Sequence, residues 1–420
     1  MVTFFARRGC GVSSPNDGLA EPANQQPVAV VVQQDGRIAD VALGDDAWKI
    51  REEAKYHQDS VLVEGELLVP GFVDIHTHGL GGTADAVDYW TVPGFTQKHL
   101  ASMGTTSFLA SVVFQKDQSH MATVLKHLLP RIGEQGHGAI LEGIHAEGPC
   151  VHDLGAMPDR GEVPSPEWLR EWIDDLPPGV LKMMTISPRV EAAVGYARLK
   201  CLLENSVLPA LGHDRVASED DILGALKCCP ERRLHITHLY NVSNFHHRLP
   251  SLVNFGLVER FPDLPQYSGL LPPTVELIGD LAHVHPLTVK CTLSARHPSN
   301  IAFISDAIAL PEANRRTAYA GRHLVVSSDA KTVKLEGTDT LAGSCASLLE
   351  TFRNLVNVLG VSEEDASSML STTPARIVGL EHVGKIEVGR RADFLLLDKN
   401  YELKQTVIAG RLAYTAAAAE

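Results

Sequence analysis

Two histidines, His76 and His78, stand two residues apart at the end of a short apolar run and could together hold a metal ion. Val73 and Ile75 alternate with polar residues in this run, which is the period-two pattern of a buried β-strand. The alternation places both imidazoles on one face of the strand, at its C-terminal end. By itself such a pair is more often two ordinary polar loop residues, so the metal interpretation depends on the rest of the chain.

Ionisable residues also end four other apolar runs. They are His145 and Glu147, His213 and Asp214, His235 and His238, and Asp306. Several imidazoles together with carboxylates are the ligands of a borderline divalent metal such as zinc, and a carboxylate remains for proton transfer. Chance can place any one of the 19 histidines near a strand end, but it does not readily account for all five places at once.

Eight apolar runs of strand length recur through the middle of the chain, with helical patterns between them. They cover residues 72–76, 105–113, 140–147, 182–186, 207–213, 234–239, 275–280 and 301–306. This repeat predicts an α/β fold, a (β/α)8 barrel of the TIM type, in which reactive side chains come from the C-terminal ends of the strands. The connecting helices are clearest at 118–129 and 346–359, where apolar residues recur at helical spacing.

The two ends of the chain predict short strands instead. Residues 27–43 form two strand-like runs around Asp35-Gly36, a hairpin signal, and residues 385–414 hold a second set of short strands. We therefore expect a small β-sandwich domain built from residues 1–65 and 381–420, and a catalytic barrel of residues 66–380. The polar residues 13–26 predict a flexible excursion from the first of these units.

Composition narrows the class of protein. The 420 residues carry a formal charge of −14 without any run of Lys or Arg. This argues against nucleic acid or an anionic membrane as a partner and favours a small-molecule substrate. No window approaches the roughly 20 apolar residues of a membrane span. The seven cysteines are scattered and lack C-x-x-C spacing, so they predict neither a disulfide framework nor a thiolate zinc site. A reducing compartment, the cytoplasm, is expected.

Residues 70–78, PGFVDIHTH, are similar to the opening motif of the metal-dependent amidohydrolases. Five further motifs resemble those of the N-acetylglucosamine-6-phosphate deacetylases within that group: HAEGP at 145–149, GH at 212–213, THLYN at 237–241, SDA at 305–307 and LAGS at 341–344. Three C-terminal motifs resemble the C-terminal segment of the amidohydrolases: TPAR at 373–376, GKI at 384–386 and GRRAD at 389–393. The resemblance covers about residues 62–412 and implies the barrel fold.

The resemblance also implies roles for residues that match the family motifs. Glu147, His213 and His238 are implied as ligands of the principal metal, and His76 and His78 as those that complete a second site. One or two divalent ions are therefore expected, with zinc the first choice. A carbamylated lysine, used elsewhere in the superfamily, has no evident candidate. Asp306 is implied as the general base and acid.

For the substrate, the resemblance implies Asn241, Val242, Arg248 and His283 as the residues that hold the sugar and its phosphate. In the family the arginine reaches across a dimer interface, so a homodimer is implied.

One departure from the family concerns the acetamide carbonyl. Family members have Gly-Ala-His where this chain has Gly155-Ala156-Met157, and a thioether cannot donate a hydrogen bond. Either His152 substitutes from a shorter loop, or the metal alone polarises the carbonyl. Ser187-Pro188-Arg189 likewise replaces the family's Ala-Pro-Glu. Substrate identity is therefore less well defined than reaction class.

The implied function is metal-dependent removal of the N-acetyl group from an amino sugar, N-acetylglucosamine 6-phosphate or a related acetamido sugar. A second possibility is another amide hydrolase of the superfamily, similar to dihydroorotases, hydantoinases or aminoacylases. A third is a non-catalytic relative that keeps its ligands for a structural metal. Asp306 argues against the third, because a closed structural zinc site needs no spare carboxylate.

Overall fold

The computed structural model of the chain describes residues 1–13, 25–57, 61–81, 90, 92–117, 119–136 and 138–417. Most of the excursion predicted at 13–26 lies outside these ranges. The strands are β1 Val2–Gly9, β2 Val28–Val32, β3 Ile38–Leu43, β4 Val61–Pro70, β5 Phe72–Thr77, β6 Thr105–Val113, β7 Ile140–Glu147, β8 Leu181–Ile186, β9 Leu208–Leu211, β10 His235–Ile236, β11 Thr274–Ile278, β12 Ile301–Ile304, β13 Arg316–Tyr319, β14 Arg322–Val326, β15 Thr332–Leu335, β16 Leu341–Ser344, β17 Phe394–Leu397, β18 Leu403–Ile408 and β19 Arg411–Thr415.

Helices connect these strands. They are α1 Gly44–Tyr56, α2 Pro93–Ser102, α3 Ser119–Leu128, α4 Pro166–Asp174, α5 Pro188–Ala192, α6 Ala197–Glu204, α7 Glu219–Lys227, α8 Leu252–Gly256, α9 Pro286–Ala295, α10 Leu348–Arg353, α11 Glu363–Leu370 and α12 Thr372–Ile377. The helix predicted at 118–129 is α3, and the one at 346–359 is α10 continued by a π-helical segment, Asn354–Val358. Within the described ranges, no helix combines the length and apolarity that a membrane span requires.

Eight parallel strands, β5 to β12, form one sheet in sequential order. Each of the eight predicted runs overlaps one of them, so the predicted (β/α)8 barrel is confirmed. The barrel closes where β12 meets β5. There the Asp306 amide donates to the His76 carbonyl at 2.9 Å, and the His78 amide donates to the Ala307 carbonyl at 2.8 Å. The seam of the barrel therefore runs through the predicted site.

β5 has the alternation of apolar and polar residues that the sequence predicts for the first barrel strand. Val73 and Ile75 belong to an apolar cluster that also contains Ala375 of α12, which leaves His76 on the opposite face. Gly71 joins β4 to β5, and a Cβ there would lie 2.2 Å from the Thr106 hydroxyl oxygen. The glycine of the opening motif is thus required because the chain passes directly against the next strand.

Strands from both termini form one seven-stranded sheet with the order β19-β18-β17-β4-β1-β2-β3. The predicted hairpin around Asp35-Gly36 is present, with Val28 paired to Leu43 across it. Pairing of β17 with β4 joins the C-terminal strands to the N-terminal ones. β4 spans Val61–Pro70 and so continues beyond the predicted boundary at residue 65. The division into units at 65/66 and 380/381 stays a prediction.

A four-stranded antiparallel sheet, β13 to β16, is inserted between β12 and α10. The sequence did not predict it, because its strands are four or five residues long and partly exposed. Its last strand returns to the barrel seam, where the Ser344 amide donates to the Asp306 carbonyl at 2.9 Å. The insertion therefore lies against the C-terminal end of β12.

A buried ion cluster ties the terminal sheet to the barrel. Arg391, just before β17, contacts Glu142 of β7 and Asp393, each at 2.7 Å, and also the Ser107 hydroxyl of β6 at 2.6 Å. All three charged side chains are nearly inaccessible. Burial alone raises the pKa of Glu142, but His382 and Arg391 hold it below its ordinary value. The arginine thus compensates two carboxylates that water does not reach.

Arg391→Met should lower the free energy of unfolding by about 3–5 kcal/mol, because it leaves Asp393 buried without a counter-charge and Glu142 with the partly exposed His382 alone. Urea denaturation followed by circular dichroism measures the loss. Arg7→Met is the matched control, since the exposed pair of Arg7 with Glu66 at 3.5 Å should contribute less than about 1 kcal/mol. Equal stability of the two variants would contradict a structural role for the buried cluster.

Candidate metal centre

Three predicted ligands converge at the C-terminal end of the barrel. Glu147 ends β7, while His213 and His238 follow β9 and β10. His213 Nε2 lies 3.0 Å from Glu147 Oε1 and 3.0 Å from His238 Nε2, and His238 Nε2 lies 3.1 Å from Glu147 Oε1. Ligand atoms around a tetrahedral zinc ion are separated by roughly 3.3 Å. The three atoms are therefore close enough together to share one ion.

His76 and His78 approach Glu147 from the other side. His78 Nε2 lies 3.2 Å from Glu147 Oε2, and His76 Nε2 lies 3.6 Å from Glu147 Oε1. Both histidines also face Asp306 Oδ1, which lies 3.3 Å from His78 Nε2 and 3.5 Å from His76 Nε2. Two groups of three ligands can thus be drawn, His76 with His78 and Glu147, and Glu147 with His213 and His238. They share Glu147, which gives the centre room for one ion or two.

The hydrogen bonds behind the rings show that a cation fits here. His213 Nδ1 lies 2.7 Å from the carbonyl oxygen of Asp153, which can only accept, so Nδ1 carries a hydrogen. In the neutral ring Nε2 then carries a lone pair instead of a hydrogen. It faces Glu147, whose carboxylate is also an acceptor, so the two groups cannot form a hydrogen bond with each other. In the described part of the chain, His76 Nε2 is buried and has no hydrogen-bond partner. A metal ion would satisfy these acceptors together.

The electrostatics also favour positive charge. Burial by itself lowers the pKa of His76, but the carboxylates of Glu276, Asp306 and Glu147 raise it to about 10. Burial raises the pKa of Glu147, yet His76 and hydrogen bonds from His213 and His238 hold it well below its ordinary value. Three carboxylates thus surround one imidazole in a place that water hardly reaches. This field suits a divalent cation.

The predicted base, Asp306, follows β12 and is 7% exposed. Burial raises the pKa of Asp306, but His76 and His78 lower it by more than burial raises it. The pKa therefore lies below its ordinary value, and the carboxyl group is ionised at neutral pH. Asp306, His213 and His238 have φ of 47°, 53° and 26°, the left-handed region that few non-glycine residues adopt. Such backbone strain is typical of functional sites, and here it occurs at three strand ends.

A cavity of about 700 Å³ lies against the centre. Of the predicted substrate residues, Asn241, Val242 and His283 line it, as does Met157. His283 Nδ1 contacts Asp280 at 2.5 Å. Burial lowers the pKa of His283, but this carboxylate raises it above its ordinary value.

His152 and Arg248 are placed differently. His152 does not line the cavity; its side chain is 42% exposed and contacts Asp153 at 3.2 Å. Arg248 is exposed on the loop after residue 241 and does not line the cavity either. Their roles in substrate binding stay predictions.

Three further residues of the site were not singled out from the sequence. Glu276 contacts His76 Nδ1 at 2.7 Å, and a charged residue inside the apolar run at 275–280 was the available signal. Arg215 lines the cavity two residues after His213. The Tyr319 hydroxyl lies 3.0 Å from His78 Nδ1 and comes from the unpredicted inserted sheet, so no sequence pattern indicated it.

Comparison with known sequences gives a consistent set of relatives. The sequence pattern of the amidohydrolase family matches residues 67–413. An N-acetylglucosamine-6-phosphate deacetylase from Bacillus subtilis is 28% identical over 388 residues, which are 90% of this chain and 91% of that protein. The human enzyme of the same name is 28% identical over 84% and 85%. An N-acetylgalactosamine-6-phosphate deacetylase from Escherichia coli O157:H7 is 30% identical over 83% and 88%.

Solved structures have the same fold. The chain aligns with an N-acetyl-D-glucosamine-6-phosphate deacetylase from Mycobacterium smegmatis, solved with N-acetyl-D-glucosamine 6-phosphate, at a TM-score of 0.77 and 24% identity over 99% of both chains. The deacetylase from Thermotoga maritima aligns at a TM-score of 0.73 and 23% identity, over 98% of this chain and all of the other. At these identities the likeness shows the fold.

Glu147→Gln keeps the size of the side chain but removes the charge shared by both ligand groups. Bound divalent metal should fall at least about tenfold, together with activity, because the carboxylate contributes to every possible ligand set. Elemental analysis of the purified protein measures it. Glu191→Gln is the control, since Glu191 is equally buried but pairs with Arg198 at 2.7 Å. Full metal content in Glu147→Gln would refute the assignment.

Proposed function

The chain belongs to the amidohydrolase family, and on this premise we propose that it removes the N-acetyl group from an amino sugar. The proposed substrate is N-acetylglucosamine 6-phosphate or a related acetamido sugar. The observation that carries the proposal is the convergence of Glu147, His213 and His238 beside Asp306 in one cavity. Relatives that align with more than four-fifths of the chain carry the names of amino-sugar-phosphate deacetylases, which supports this reaction among those of the family.

Glu147, His213 and His238 would hold the principal ion, for which we propose zinc. His76 and His78 would complete a second site with the other oxygen of Glu147. A bound divalent ion supplies Lewis acidity, which makes water more acidic and an amide carbonyl more electrophilic.

Asp306 performs the proton transfers. It is ionised at neutral pH, since its pKa lies below the ordinary value, and it faces the cavity. Its carboxylate takes a proton from the water whose oxygen attacks the amide carbon. When the C–N bond breaks, Asp306 returns that proton to the leaving nitrogen, because an amide anion is too basic to depart. The products are the amine and acetic acid, and at neutral pH the proton of the acid passes to the amine, so acetate and the protonated amine are released.

The far part of the cavity would hold the sugar. His283, whose pKa lies above its ordinary value because of Asp280, and Asn241 both line the cavity and are suited to bind a phosphate or the sugar hydroxyls. Arg215 is the one Arg or Lys among the described residues that line the cavity. Arg215 lies 3.5 Å from Asp153, and its side chain is about half-exposed. An ion pair of this kind is weak, so the guanidinium can still bind an anion. We propose that it takes part in phosphate recognition.

We also propose a homodimer. Arg248 lies exposed outside the cavity of its own chain. This position is required of an arginine that binds substrate in the cavity of a second copy of the chain. A cytoplasmic location is proposed because all seven cysteines are free. A small-molecule substrate, without nucleic acid or membrane as a partner, follows from the acidic net charge.

A different amide hydrolase activity remains the second candidate, and Met157 is the observation that favours it. This thioether lines the cavity where the family has a histidine, so the site has one donor fewer for an acetamide carbonyl. A non-catalytic role is disfavoured, because Asp306 stands beside the ligands at the wall of an open cavity.

Asp306→Asn should lower turnover by about 10²–10⁴-fold while metal stays bound, because an amide cannot accept the proton. Asn tolerates the left-handed backbone at this position, so the fold is kept. Steady-state rates and metal content are measured on the same preparation. Near-normal turnover would refute the role of Asp306 in proton transfer.

For the substrate, kcat/KM should be higher for N-acetylglucosamine 6-phosphate or N-acetylgalactosamine 6-phosphate than for the free sugars. Arg215→Met should reduce that preference by about tenfold or more, as expected for a lost charged hydrogen bond. Arg170→Met is the control, since Arg170 is similarly exposed but pairs with Glu204 on the outside. If Arg215→Met keeps the same preference for the phosphorylated sugar, other residues bind the phosphate. Hydrolysis of a cyclic ureide or an N-acyl amino acid, with neither sugar deacetylated, would establish the second candidate.

A further inference from the structure

Glu276 is a fully buried carboxylate on β11, behind the metal centre. It is not one of the groups that could bind the ion directly. Its Oε1 accepts from His76 Nδ1 at 2.7 Å and from the His238 amide at 3.1 Å. Its Oε2 accepts from His235 Nε2 at 3.0 Å. The side chain therefore contacts one ligand from each of the two ligand groups.

The contact with His76 determines which ring nitrogen faces the centre. An ionised carboxylate can only accept hydrogen bonds, so the hydrogen of the neutral His76 ring lies on Nδ1. Nε2 is then left as a lone pair, and it lies 3.6 Å from Glu147 and 3.5 Å from Asp306. A carboxylate behind a histidine ligand also raises the basicity of the ring.

The contacts with His238 hold a strained turn. His238 has a φ of 26°, a conformation that costs free energy unless neighbours hold it. Its amide donates to the Glu276 side chain, and the next amide, that of Leu239, donates to the Glu276 carbonyl at 2.8 Å. Two hydrogen bonds accepted by one residue, Glu276, thus stabilise the turn that directs the His238 ring toward Glu147.

Glu276 is itself held by a buried chain of hydrogen bonds. His235, fully buried on β10, contacts Glu276 with Nε2 and the Thr274 hydroxyl with Nδ1 at 2.8 Å. The carboxylate is therefore fixed from behind by two neighbouring barrel strands, and it has little freedom to move away from His76 or His238.

We propose that Glu276 is the positioning residue of the metal centre. It binds Nδ1 of His76 and the backbone amide of His238, so that Nε2 of His76 faces the centre and both ligand groups are positioned before an ion binds. The inference rests on the metal dependence proposed above, but not on any particular substrate.

Glu276→Gln tests it, because the amide removes the negative charge behind His76 and offers one acceptor atom instead of two, so it cannot accept from His76, His235 and His238 together. The measurements are metal affinity, by chelator competition with Zn²⁺, and the unfolding midpoint of the metal-free protein. We expect affinity to fall about 10- to 100-fold. Glu191→Gln is the matched control. Glu191 is also fully buried, and it accepts from Arg198 Nε at 2.7 Å and the Leu199 amide at 3.0 Å, so stability should fall while affinity for Zn²⁺ stays unchanged.

Wild-type affinity for Zn²⁺ in folded Glu276→Gln would overturn the inference, as would an equal loss in both variants. Should Glu276→Gln not fold, Glu276→Asp replaces it. That variant keeps the buried charge but is one methylene shorter, so it cannot reach both His76 and His238, and its affinity must also fall. Failure of the wild-type protein to bind any divalent metal would instead count against the proposed function.

Discussion

The centre depends on one buried carboxylate, Glu147, whose two oxygens face four imidazoles. A carboxylate removed from water costs several kcal/mol unless opposite charge and hydrogen bonds compensate it. Asp306 and Glu276 add two more buried carboxylates nearby. Neutral imidazoles cannot balance this charge, which is why the pKa of His76 rises to about 10. A bound divalent ion would compensate this negative charge, so the same charge that destabilises the metal-free site favours the binding of a cation.

The fold meets this constraint by bringing strand ends together. Glu147, His213, His238 and Asp306 come from four barrel strands that are far apart in sequence, and three of these residues adopt left-handed backbone where the strand ends. The inserted sheet then contributes to the cavity wall, since Tyr319 and residues 340–343 line it. Because Tyr319 also contacts His78, the insertion holds a predicted ligand and also shapes the cavity.

The predicted metal ligands and the predicted substrate contacts differ in how closely they follow the family motifs. The ligand residues match its motifs and converge, whereas Met157 replaces a hydrogen-bond donor and His152 and Arg248 lie outside the cavity. Arg215, which was not singled out from the sequence, adds a cation to the cavity wall. Chemistry at the metal requires a fixed geometry, while recognition of a sugar can be distributed among several side chains and, in a dimer, between chains.

The amino-acid sequence alone was sufficient to predict the eight barrel strands and the terminal strands, and to single out the residues that the structure brings together in the two groups of candidate ligands. The reason is that buried strands have a strong local pattern, and chemistry at strand ends leaves ionisable residues at predictable places. Glu276 could be seen only as a charge in an apolar run, because its partners His76 and His235 are 200 and 41 residues away. Tyr319, the inserted sheet and the cavity depend on such distant contacts. Only the tertiary structure decided them, since short, half-exposed strands bury too little apolar surface to leave a periodic signal in the sequence.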